Sequence, residues 1–222
     1  MARRTEGPLP PRGFAPDIPD VLERASSLSR HGDVLGARLA GLSGEVDAAH
    51  GRLAESVVEP ASIDRLDLTG ASLSDVRIAG PRATEIVARE GRWRGVEVSG
   101  GRIGTLDLMR GELAGVWFTG LRIDYLSLPS AVMTDVRFTG CDIGTIDVPD
   151  ARIERVAFAD CRVDEMDTRG VRARDFDLRG VEVLAFTDPA GLRGATLAPR
   201  QAASHADAFA AALGIRIAAE RA

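Results

Sequence analysis

The chain has 222 residues, with 28 basic residues that are all arginine, 33 acidic residues, two cysteines and a formal net charge of −5. So mild a charge argues against a general phosphate-binding surface or direct nucleic-acid binding, and no stretch reads as a transmembrane span. The two cysteines and an opening, MARRTEGPLPPRGF, without the apolar run of a signal peptide predict a reducing, cytoplasmic setting.

Residues 1–45 are read as a proline-rich leader and N-terminal cap. Pro8, Pro10, Pro11, Pro16 and Pro19 predict a flexible or extended segment. Residues 20–30, DVLERASSLSR, fit a short helix. Residues 35–57 fit two descriptions. Leu35, Leu39, Leu42, Val46, Ala49 and Leu53 suit one face of a helix. Val46, Ala48, Gly51, Leu53, Ser56 and Val58 instead keep a five-residue step in phase with the segment that follows. That agreement of phase favours a first coil from about residue 46.

Residues 46–198 repeat. Stepping by five from Ile63 to Val183 meets 25 positions, of which 24 are apolar and Thr168 is the exception. The series two residues earlier, from Ala61 to Val181, contains no charged or amide side chain. Between the two series only Val87, Trp117, Val132 and Ala157 are apolar. A helix would sweep a five-step round its cylinder, whereas three residues of strand alternate in, out, in. The remaining two residues of each unit must turn the chain. Twenty residues then close four sides. In that register Ile78, Val98, Phe118, Phe138, Phe158 and Leu178 form one column, and Gly80, Gly100, Gly120, Gly140 and Gly180 fall at one corner, where positive φ suits glycine. The earlier inward position alternates small with large, as in Ala131, Val136, Cys141 and Ile146. Opposite sides of a four-sided section can both be bulky only if the other two yield space.

The units Ala71-Ser72-Leu73, Leu106-Asp107-Leu108 and Ala151-Arg152-Ile153 resemble the A(D/N)Lxx motif of pentapeptide-repeat proteins. The resemblance covers roughly residues 46 to 197. It implies an all-β solenoid, a right-handed quadrilateral β-helix of about seven coils. The sequence departs from the family pattern in using Val, Ile or Phe where Leu is usual, and Arg or Glu where Asp or Asn is usual. For function the resemblance implies either an interaction or scaffold module with a protein partner of unknown identity, or a DNA mimic that binds DNA gyrase and related topoisomerases and protects them from quinolones. Residues 61–186 hold 21 acidic and 17 basic side chains, a net of −4, which disfavours the mimic because interleaved arginines cancel a DNA-like field.

Residues 199–222 form the third unit. Pro199 is placed to open a helix running through Leu213, with Gly214 to end it. Phe209 and Leu213 would cover the last coil, since an open solenoid end invites aggregation. The resemblance also allows a homodimer through this end.

Chemistry is sparse. His31, His50 and His205 lack neighbours at metal-ligand spacing, and neither a phosphate loop nor a nucleophile elbow is present, so no catalytic residue, metal or cofactor is assigned and an enzyme is not expected. Cys141 and Cys161 are expected to stack as buried free thiols. The candidate partner surface lies on the outward columns. Asp107, Asp147 and Asp167 stack in one; in another, Trp117 is read either as stacked on Arg137 one coil above or as an aromatic contact anchor.

Overall fold

A computed structural model of the chain describes residues 7–13, 15–60 and 62–218. Ala61, the first member of one inward series, and the ends of the leader and of the C-terminal unit lie outside the described residues.

The chain forms a parallel β-solenoid of two sheets, one of eleven strands and one of eight; every pairing is parallel, and from Asp33 on each strand pairs with its equivalent one turn away. Eight-residue strands such as Ser72–Ala79, Arg92–Ser99, Glu112–Thr119 and Val132–Thr139 build the first sheet. Six-residue strands such as Arg82–Val87, Arg102–Asp107 and Arg122–Ser127 build the second. The register is twenty throughout this region, with Phe118 opposite Phe138 and Ile103 opposite Ile123.

The inward series are the core. Every member from Ile63 to Val183 is buried except the half-buried Ala173. Thr168, the polar member, is fully buried and donates its hydroxyl to the Asp188 carbonyl at 2.5 Å, which satisfies the group that would otherwise weigh against burial. In the second series only Gly101 is exposed among the described residues.

Three of the four corners use left-handed backbone. Gly80, Gly100, Gly120 and Gly140 have φ of 61–64°, and their amides bond to the carbonyl of the next coil at 2.7–2.8 Å, so the ladder continues round the bend. Gly180 is a correction to the expected column. Its backbone is not left-handed, and a Cβ there would lie 2.1 Å from the Phe158 carbonyl, so glycine is required by close approach instead. The fourth corner has no left-handed residue from 85 to 165 in steps of twenty.

The solenoid starts earlier than expected. No helix forms at 20–30; strands Glu23–Ala25, Asp33–Leu35, Ala37–Ala40 and Ser43–Asp47 occupy the N-terminal cap region instead. The two readings of 35–57 resolve as strand, and the earlier start brings the total to about eight turns. The pairing slips by one residue between Gly44 and Glu45, which is why the five-step does not extend cleanly upstream.

The leader is extended, as its prolines predict, but docked rather than flexible. The amides of Leu9, Arg12 and Asp17 donate to the carboxylates of Asp175, Asp135 and Asp75 at 3.0, 3.0 and 3.2 Å.

At the other end the expected single helix is two, Pro199–Ser204 and Ala206–Ala212, broken at His205. Gly214 follows with φ of 75°. Phe209 packs on the core, whereas Leu213 is 76% exposed and takes no part in covering it. Gln201 and His205 do that work. Gln201 Nε2 donates to the Leu178 and Val181 carbonyls at 2.7 and 2.5 Å, and the His205 ring lies edge-on to Phe186 with centroids 4.9 Å apart.

Candidate functional site

The column of Asp107, Asp147 and Asp167 points outward by phase, yet it is recessed. Asp107 and Asp167 are 6% and 9% exposed, and Val87 and Ser127 in the same column are buried. Each of the two buried aspartates seals a corner. Asp107 accepts the Met109 amide at 3.0 Å and the Arg89 guanidinium at 2.6 Å. Asp167 accepts the Arg169 amide at 3.1 Å and its guanidinium at 2.6 Å, and this hydrogen bonding holds the Asp167 carboxyl below the usual carboxylate range. Asp47, Asp67, Asp177 and Asp188 make the same bond to the amide two residues on. This is the local turn that aspartate forms with its own backbone. The spacing was a readable signal: Asp67-Leu-Thr-Gly70, Asp167-Thr-Arg-Gly170 and Asp177-Leu-Arg-Gly180 each put an aspartate three residues before a corner glycine.

Asp147 differs. It is half-buried and accepts the Tyr125 hydroxyl at 3.0 Å. Burial, and then this bond to a carboxylate, push the Tyr125 phenol up to about 12.

Trp117 is half-buried rather than exposed. Arg137 lies one coil on, with its Cζ 6.0 Å from the ring centroid. The Trp117 Nε1 is buried and meets no acceptor among the described residues. The candidate residues therefore split. Trp117 and Arg137 come together on one face, and the three aspartates lie on another.

The arginine ladders are largely neutralised by their neighbours. Arg77 pairs with Glu97, Arg92 with Glu112, Arg110 with Glu90 and Arg102 with Asp124, all at 2.9–3.5 Å and all joining adjacent coils. The least exposed pairing is that of Arg155, which is 8% exposed and holds both oxygens of Asp135 at 2.6 and 3.0 Å.

Among the described residues two surface grooves have volumes of about 590 and 620 Å³. The first collects Arg152, Arg172, Arg174 and Arg193 beside Val132 and Ile153, and the second is lined by Arg82, Arg102 and Asp124. Reading single columns did not reveal the first groove, because Arg174 and Arg193 join it from other positions of the turn. Among the described residues no group of His, Cys, Asp and Glu is arranged to hold a metal ion. Cys141 and Cys161 are buried and free. The Cys141 amide donates to Cys161 Sγ at 3.4 Å; separately, the Cys161 thiol beside it, and then burial, push the Cys141 thiol up. No described helix is long and apolar enough to cross a membrane. Comparison with known proteins matches no family model and no curated sequence.

Proposed function

We propose that the chain is a non-enzymatic protein of the pentapeptide-repeat type, acting in the bacterial cytoplasm as a rigid interaction or scaffold module for a protein partner. The pairing of charge between adjacent coils carries this reading. Several arginines are matched by a carboxylate one coil away, so along those columns a partner meets mixed charge. The same pairing disfavours the DNA mimic, which needs an unbroken acidic stripe.

A supercoiling assay tests the choice between the two. DNA gyrase should work at its normal rate, with and without a quinolone, at micromolar concentrations of this protein. Inhibition, or protection from the drug, would overturn the scaffold reading in favour of the mimic. A second copy is proposed to meet the first at the C-terminal end, where Leu213, Ile215 and Ile217 are 76%, 56% and 63% exposed.

A further inference from the structure

One of the left-handed corners of the solenoid carries the leader. Residues 55, 75, 95, 115, 135, 155 and 175 are all left-handed and stack one per coil as Glu, Asp, Gly, Gly, Asp, Arg and Asp. Three of these side chains, Asp75, Asp135 and Asp175, accept backbone amides from the leader, which runs against the order of the coils.

The fit follows from two lengths. A polyproline-II chain rises ~3.1 Å per residue with three residues per turn, so one turn spans ~9.3 Å. Two coils span ~9.6 Å at ~4.8 Å per coil. Leu9 and Arg12 are three residues apart and bond two coils apart. From Leu9 to Asp17 the leader climbs ~25 Å over five coils that span ~24 Å.

The chemistry matches as well. Polyproline-II backbone makes no internal hydrogen bonds, so its amides are free to donate outward. Each donor, Leu9, Arg12 and Asp17, directly follows a proline, and those prolines are the ones that turn inward. Pro11 is buried and Pro8 and Pro16 are half-buried, while Pro10 and Pro19 are exposed. Residues preceding proline are also biased toward extended backbone. The carboxylate ladder thus matches the rise and the free amides of such a chain, and between Leu9 and Arg12 its three-residue turn as well.

We propose that the corner column from Asp75 to Asp175 is a recognition track for a proline-rich polyproline-II segment, with the protein's own leader as the occupant in cis. A segment of the same chemistry from another chain competes for the track, and the leader sets how strongly it must bind. This goes beyond the scaffold reading and does not depend on it.

The test uses the full chain in two variants. Asp75→Gly with Asp175→Gly removes two acceptors without straining the backbone, because glycine already stands at 95 and 115 in this column. It leaves the Asp135–Arg155 pair intact. Trypsin should cut the Arg12–Gly13 bond at least tenfold faster in this variant than in the unaltered chain. Pro8→Ala, Pro11→Ala and Pro16→Ala together loosen the leader without touching the solenoid. A labelled peptide of residues 7–20 should bind that second variant, followed by fluorescence anisotropy, at least tenfold tighter than the unaltered chain, and should not bind a chain that carries both sets of changes. Cleavage rates within twofold of each other would overturn the proposal. So would a peptide that fails to bind the proline variant, or a scrambled peptide that binds it equally well.

Discussion

Phe138 is the middle ring of a stack, 4.8 Å from Phe118 and 4.7 Å from Phe158, with interplanar angles of 11° and 9°. Ring spacing here equals coil spacing, so the column cannot close over a missing ring without shifting both neighbouring turns. Phe138→Ala should destabilise the protein by ~3–5 kcal/mol. Arg137→Ala, one residue away, faces solvent and loses only its place over Trp117, at about 0.5–1 kcal/mol. Urea midpoints of the two variants check this, and equal shifts would contradict the inward–outward assignment. At this scale nearly all of the core from Ile63 to Val183 was legible, because the inward phase of each unit sets its burial; Gly101 and Ala173 depart from it. The aspartates were legible only as a column. Their phase says outward, but a side chain that reaches back to the amide two residues on folds itself against the corner. Trp117 likewise reads as exposed by phase, although the ring is wide enough to lie along the face beneath Arg137.

The elements at the two ends were the least legible. The five-step identifies coils only while the register holds, and the slip at Gly44 and Glu45 hides the strands upstream of it. The docked leader carries no apolar period at all, so its fit to the carboxylate ladder emerges only once the coils are stacked. At the C-terminus the pattern finds helix but neither its break at His205 nor the different fates of Phe209 and Leu213. Phe209 turns in and Leu213 turns out. If the exposed Leu213, Ile215 and Ile217 hold two copies together, Leu213→Ser with Ile217→Ser should lower the sedimentation coefficient from that of a dimer to that of a monomer. Unchanged sedimentation would exclude this end as the contact.

Across the whole molecule, carboxylates bound to arginine make stability depend on acid. Hydrogen bonds from Arg155, Arg169 and Arg179 hold Asp135, Asp167 and Asp177 below the usual carboxylate range. A carboxyl whose pKa is lower folded than unfolded adds stability that is complete above the unfolded value, about 4, and fades as pH falls through the folded value. The urea midpoint should therefore hold steady from these groups between about pH 7 and 5 and drop below about pH 4. Asp167→Asn with Asp177→Asn should flatten the drop. A midpoint unchanged down to about pH 2 would show that these pairs do not contribute.

The four sides of each turn are not interchangeable. One carries the stacked phenylalanines, three corners are left-handed, and the fourth is not. A five-residue deletion would keep every apolar residue facing inward and still move each downstream side onto its neighbour's place, setting phenylalanine over a column made for something smaller. Only whole turns of twenty can be gained or lost without that conflict. Such a protein can change length in evolution by duplicating or excising single storeys, each worth ~4.8 Å of rod, and the 19-residue interval between the stacked His31 and His50 marks where the upstream end has already departed from that rule.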